Sequence, residues 1–145
     1  MAHRPRKAPR PPPKGGAVQY FTYGPLEFNV NRALVLAANR RKYQPEIRRP
    51  AGDMVGPHIE VDEHYVDKSD LSKPVLFVTL VMDGQPWQLL IDGNHRVLKA
   101  LRHQTTIKAV VLDLEDTFTI MRGPEAMIQQ MRWHGQRLGL LPSRA

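Results

Sequence analysis

The sequence predicts an α+β fold, a small mixed sheet flanked by helices, on three observations. Val75–Met82 is rich in β-branched and aromatic residues, and Asp83-Gly84 after it is a strong hairpin signal leading to a second apolar run over 85–91. Asp92-Gly93-Asn94-His95-Arg96 then separates that returning strand from Val97, Leu98, Ala100 and Leu101, which fall at helical spacing with Arg96, Lys99 and Arg102 interleaved. A turn at His103-Gln104-Thr105-Thr106 leads to a further strand over 107–114, apolar at Ile107, Ala109, Val110, Val111, Leu112 and Leu114. Nearly continuous apolar character in both hairpin strands predicts that each is covered on two faces.

Upstream of the hairpin the elements are shorter. Residues 1–16 hold Arg4, Arg6, Lys7, Arg10 and Lys14 with no acid, beside Pro5, Pro9 and Pro11-Pro12-Pro13. Such a segment cannot bury enough apolar surface to offset its ordering entropy, so a disordered basic tail is expected, with the folded domain spanning 17–145. Residues 18–23 are β-prone, and 26–30 alternate apolar and polar after Gly24-Pro25. Asn29 or Asn31 suits the cap of a helix reaching Lys42, with Ala33, Leu34, Leu36 and Ala37 on its buried side and Arg40-Arg41-Lys42 where the dipole favours cations.

Residues 43–54 read as irregular, punctuated by Pro45, Pro50 and Gly52, with Arg48-Arg49 exposed. His58, Glu60, Asp62, Glu63, His64, Asp67 and Asp70 form the dense acidic patch. Hard cations such as Mg²⁺ take carboxylate oxygens, and His58 or His64 suits a transition metal, but no spacing here matches an established metal motif. Alternation over 58–62 is also what an ordinary exposed strand shows. Residues 68–73 read as a loop or short turn, because Pro74 discourages helix at Lys73. A terminal helix begins at Gly123-Pro124-Glu125, with an apolar stripe of Ala126, Met127, Ile128, Met131 and Leu138. On it, Arg132, Trp133, His134 and Arg137 offer either a packed indole with a basic outer face or a stacking surface for nucleic acid.

Composition bounds the function. The chain has 145 residues, formal net charge +7 and no cysteine. Disulfides and cysteine-ligated metals are thereby excluded. No apolar run approaches the roughly 18 residues of a membrane span, and the basic N-terminus lacks the apolar stretch of a secretory signal, so a cytoplasmic protein with no membrane partner is expected. The basic tail suits salt-sensitive, sequence-independent binding to DNA, or a solubilising leader.

The most chemical segment is Asp92–Arg96. A strand, a glycine turn and a helix start present backbone N–H groups at the positive end of a helix dipole, a geometry suited to phosphate. Gly93 either lets a phosphate approach closely or supplies a positive φ, and Asn94 is well placed as an N-cap. His95 donates to phosphate, acts as an acid or base, or merely starts the helix. Arg96 either grips phosphate bidentately or pairs with a carboxylate, and Asp92 either meets a metal or sugar or orients Arg96.

The stretch 74–114 resembles the core of the ParB/sulfiredoxin superfamily, with a strand pair, a Gly-x-x-Arg turn, a helix and a further strand in the same order. Gly93-Asn94-His95-Arg96 matches that superfamily's phosphate-binding signature, and Asp92 extends it toward the Asp-Gly-Gln-His-Arg motif of related DNA-modification regulators. The resemblance implies that the turn and its arginine hold the phosphates of ATP or CTP, with Mg²⁺ accompanying the nucleotide. It also implies that a lysine or hydroxyl upstream is recruited, for which Lys68, Ser69 and Lys73 are candidates. Sulfiredoxin chemistry is excluded by the absence of cysteine. About 30 residues follow Leu114, which suits one helix and a tail rather than the long helix-turn-helix region of a partition protein.

The expectation is therefore a nucleoside-triphosphate-binding protein, with hydrolysis left open, acting in a DNA-associated process such as partition, plasmid or phage biology. Gly93, Asn94, His95, Arg96 and Lys73 would bind phosphate, and His95 and Asp92 are the catalytic candidates. Arg4, Arg6, Lys7, Arg10 and Lys14 would contact DNA. Two alternatives stay open: a metal-dependent ParB-like nuclease, with its metal ligands unknown, and a non-catalytic DNA-binding or adaptor protein.

Overall fold

The computed structural model describes residues 6–7, 18–55, 59–60 and 62–142, with 6–7 and 59–60 as backbone. The first half of the chain runs β1 (Arg6–Lys7), β2 (Tyr20–Tyr23), β3 (Leu26–Asn29), α1 (Val30–Ala37), β4 (Glu46–Arg48), a 3-10 turn (Gly52–Met54), β5 (Ile59–Glu60) and α2 (Glu63–Lys68). The second half runs β6 (Val75–Met82), β7 (Gln85–Asp92), α3 (Asn94–Arg102), β8 (Ile107–Leu112), α4 (Leu114–Ile120), β9 (Met121–Arg122) and α5 (Glu125–Arg137). The α+β class is as the sequence predicts.

The central sheet has the order β4-β8-β6-β7, with β6 parallel to β8 and the other pairs antiparallel. Alternation along β6 divides the core between two faces. Leu76, Val78 and Leu80 join Val110, Leu112, Leu114 and Met131 on one side, together with Phe21, Leu26 and Phe28 from the small β2-β3-β9 sheet. Val75 and Phe77 join Leu90, Ile107 and Ala109 on the other, where Val97 and Ala100 of α3 cover them. Burying both faces of β6 in this way fixes its register, since a one-residue slip would exchange the two sets. The short β1 lies parallel to β5. Arg4, Arg10 and Lys14 of the expected basic tail lie outside the described residues, as does His58 of the acidic patch.

Several expectations are corrected. The second hairpin strand is not covered on two faces: β7 is an edge strand, exposed over its first four residues and buried over its last four. Helix α1, capped by Asn29, stops at Ala37 instead of reaching Lys42, because the Asn39 side chain accepts the Arg41 N–H and turns the chain away. Arg40-Arg41-Lys42 thus lies past the helix. The segment read as irregular contributes β4; within the acidic patch Glu60 lies in the strand β5, as the alternation allows, while Glu63, His64 and Asp67 lie on helix α2, whose cap Asp62 accepts the His64 N–H at 3.1 Å. Leu114 opens α4 rather than ending β8, since Asp113 caps that helix by accepting the Asp116 N–H at 2.8 Å. Leu138 falls beyond α5 and is exposed, and Trp133 is exposed rather than packed, with the Arg137 guanidinium 5.1 Å from its ring centroid. Among the described residues no helix is long and apolar enough to cross a membrane.

The α4 cap is joined to the segment after α1 by a buried phenol. Tyr43 donates its hydroxyl to Asp116 Oδ2 at 2.5 Å and accepts the Asp113 N–H at 3.1 Å, while Lys42 bridges Asp113 and Asp116. Burial, then the hydrogen bond to Asp116, pushes the phenol above its ordinary range. For Asp116, desolvation acts upward but is outweighed by the Tyr43 and Lys42 contacts, so its carboxyl sits below the usual 3.8. A carboxylate depressed in the folded state lends stability that is complete above its unfolded pKa and is lost as pH falls through the folded one. Tyr43→Phe is therefore expected to cost about 1–2 kcal/mol at neutral pH, with the gap to wild type narrowing in acid, once the pH falls below the ordinary carboxylate value of 3.8. Urea midpoints at the two pH values check this; a gap that stays constant would deny the carboxylate its part.

Candidate nucleotide site at the start of α3

The site begins where β7 ends. Asp92 is buried at the last position of the strand, and Gly93 follows with φ +104°, a left-handed conformation that side chains rarely adopt. Space is as restrictive as the dihedral: a Cβ on Gly93 would lie 2.6 Å from Val75 Cγ1 and 2.9 Å from Val75 Cβ. Gly93 itself is the cap residue of α3 and Asn94 the first residue within it, contrary to the expectation that Asn94 caps the helix. Helices α1, α2 and α4 each open on a side-chain cap, from Asn29, Asp62 and Asp113 respectively, whereas α3 and the proline-opened α5 have none. Its first N–H groups, which have no partner within the helix, are left to other acceptors.

Arg96 ties three segments together. Its Nη2 donates to Asp92 Oδ2 at 2.9 Å, and its Nη1 donates to the carbonyls of Lys73 and Pro74. The end of β7, the entry to β6 and the first turn of α3 are thereby locked in one arrangement. Lys73 meets the turn through its carbonyl, and its side chain is exposed.

His95 points toward α2. Its Nε2 accepts the Asp62 N–H at 3.2 Å, and its ring lies 5.8 Å from that of Tyr65. One and two turns further along α3, Lys99 donates to the carbonyls of Asp67 and Ser69, satisfying the C-terminal end of α2, and Arg102 pairs with both oxygens of Glu63. Arg102 holds the Glu63 carboxyl below its ordinary range. Much of the acidic patch is thus the counterpart of the basic face of α3. Asp70, whose carboxyl is lowered by hydrogen bonds from Ser72, closes the turn into β6. Among the described residues, no group of three or more His, Cys, Asp or Glu is placed to hold a metal ion. Asp92, the carboxylate at the turn, is committed to Arg96, so a Mg²⁺ at this turn would rest on nucleotide oxygens and water, its usual company beside phosphates.

Asn94 differs from its neighbours. It is 2% exposed, and its amide nitrogen is buried with no hydrogen-bond partner among the described residues. Leaving such a donor unpaired costs about 1–3 kcal/mol, and each such group in a folded protein calls for an explanation. The residue also lines a cavity of about 340 Å³ between the open part of β7 and β2, walled by Phe21, Tyr23, Phe77 and Trp87. The Tyr23 and Trp87 rings stand 5.3 Å apart at 52°. Asp53 of the 3-10 turn and Arg48 of β4 also line it, Arg48 with its guanidinium 5.5 Å from the Phe77 ring centroid and hydrogen-bonded to Gln88 Oε1 at 2.7 Å. Sequence reasoning missed this cavity. Its walls come from six separate segments, and no local pattern announces a contact between β2, β4 and the edge of β7.

Fold and site together define an α+β domain with a glycine-opened, arginine-braced helix start beside an aromatic cavity. Comparison of the chain with protein-family models, with curated proteins and with solved structures finds no match.

Proposed function

We propose that the chain binds a nucleoside triphosphate, ATP or CTP accompanied by Mg²⁺, at the β7–Gly93–α3 turn, and works in a DNA-associated process of the partition, plasmid or phage kind. The observation behind this reading is the start of α3: a glycine cap without a side-chain acceptor, at a turn where no Cβ fits. Uncapped N–H groups and the dipole favour an anion there. Arg96 braces the turn, its charge balanced there by Asp92. In this arrangement His95 Nε2 and Asp92 are both engaged, so the reading is one of binding, with neither group offered as a base for water. Calorimetry with ATP, CTP, GTP, UTP and inorganic tripolyphosphate, with and without Mg²⁺, tests it. Saturable binding of at least one nucleotide is expected; heat from none of these ligands would overturn the reading.

The DNA contact rests on the five cations within residues 1–16. Each phosphate neutralised contributes about −0.9 to the slope of log K against log salt. Removing residues 1–16 is expected to flatten that slope by about four on a DNA duplex, if most of these cations engage. An unchanged slope would move the contact to the folded part.

A further inference from the structure

We infer that the outer face of α5, centred on Trp133, is a docking surface for single-stranded DNA, with a base stacked on the indole and phosphates held by Arg132 and Arg137. The choice of DNA rests on the reading above, whereas the face itself depends neither on residues 1–16 nor on the Gly93 turn.

The inner side of α5 is occupied, since Met127, Ile128 and Met131 pack into the core. Trp133 stands on the outer side and is 55% exposed. Its neighbours on the helix surface, three and four positions away, are Gln129, Gln130, Gln136 and Arg137. The Arg137 guanidinium lies over the indole, and that of the adjacent Arg132 lies over Phe118, 4.4 Å from its ring centroid. Stacking engages the flat face of a guanidinium and leaves its in-plane donors for an anion. Arg48, Arg96, Arg102 and Arg122 each meet a carboxylate, but Arg132 and Arg137 meet none among the described residues. Asp83 borders the same groove as Arg137 without pairing with it, and residues 126–145 contain no acid.

This combination selects the partner. Unpaired guanidinium groups suit phosphate, and an exposed indole suits a flat ring; together they hold a single strand without reading its sequence. A duplex keeps its bases stacked on one another, so only the cations serve it. An anionic lipid surface would also attract the cations, but a helix lying in a membrane interface needs a broad apolar face. Three glutamines and an arginine surround Trp133 instead.

The test uses the full chain with Trp87→Phe, which leaves Trp133 as the single tryptophan. The probes are a thymidine oligonucleotide, an abasic deoxyribose-phosphate strand of equal length, and a duplex. The thymidine strand is expected to quench Trp133 and to bind at least about fivefold more tightly than the abasic strand, the scale of one stacked base. The duplex should bind without quenching. In the chain that retains Trp87, Trp133→Leu should close the gap between the two strands, read by anisotropy of labelled probes, and leave abasic-strand affinity unchanged. Leucine keeps an apolar side chain at this exposed helical position and removes the stacking face. Arg137→Gln should lower the slope of log K against log salt by about 0.7 on the single strand.

Equal affinity for the thymidine and abasic strands, or quenching by neither, would overturn the inference. A Trp133→Leu chain that still prefers the base-bearing strand would overturn it too. Quenching by anionic phospholipid vesicles and by no strand would assign the face to a membrane, and quenching by oligouridylate alone would assign it to RNA; either result sinks the DNA surface. Removal of residues 1–16 should weaken both strands alike and preserve the gap between them. A gap that vanished with the tail would deny α5 its independent part, whereas a salt slope unmoved by that removal would strike the tail contact and leave the α5 face standing.

Discussion

Arg96→Ala is expected to lower stability by about 3–5 kcal/mol. Removing the guanidinium leaves Asp92, 9% exposed, as a buried carboxylate without its cation, and leaves the Lys73 and Pro74 carbonyls without their donor. Against a total of roughly 5–15 kcal/mol for a domain of this size, such a loss approaches the whole. The double variant Arg96→Met/Asp92→Leu should recover much of it, since exchanging a buried pair for apolar side chains of similar volume is often nearly neutral. A double-mutant cycle read by denaturant midpoints checks the coupling; additive losses would show that Arg96 acts independently of Asp92. The consequence for function is practical. Loss of nucleotide binding in Arg96→Ala alone would report unfolding as readily as a missing phosphate ligand, whereas the double variant isolates the cation's part.

Gly93→Ala carries the second large effect. A left-handed conformation costs a residue with a Cβ about 1–2 kcal/mol, and overpacking adds about 1–3 kcal/mol. The contact is not relieved by a flexible side-chain tip: Val75 is β-branched, 1% exposed and set in β6, and even its Cα lies 3.2 Å from the added atom. A combined loss of about 3 kcal/mol or more is expected. Gly93→Ala/Val75→Ala should recover only the share of the clash due to Cγ1, because Val75 Cβ at 2.9 Å and Cα at 3.2 Å stay in place, and should retain the backbone share, an asymmetry that thermal unfolding of the three variants reads directly. Full recovery would mean that the backbone strain is negligible.

Legibility in the sequence followed the range of the interactions. The β6–β7 hairpin, the Gly93 turn and helix α3 were readable because Asp83-Gly84, the apolar runs and the helical spacing of 97–101 are local signals, each sufficient for its element. Where two local signals met, the reading stopped short. The alternation over 58–62 argued for a strand, and β5 lies there at Ile59–Glu60, but the helix that follows, held by the Asp62 cap and by Lys99 and Arg102, went unread. Leu114 continued an apolar run, yet the Asp113 cap decides that it opens a helix. The exposed half of β7 was invisible because an edge strand is defined by what fails to pair with it. At the site, Asp92 as the orienting partner of Arg96 was among the readings available from spacing alone. The commitment of His95 to Asp62 was not, because it joins residues 33 positions apart.

The open edge of β7 has a bearing on how the molecule behaves in company. An edge strand normally offers a row of backbone groups to any other chain and invites strand addition. Pro86 stands in that exposed half, opposite Val81, and has no N–H to give. Its ring breaks the row of donors beside Trp87, on the stretch of β7 that borders the aromatic cavity. The residue that interrupts the ladder therefore guards the open edge of β7 against the addition of another strand beside the cavity.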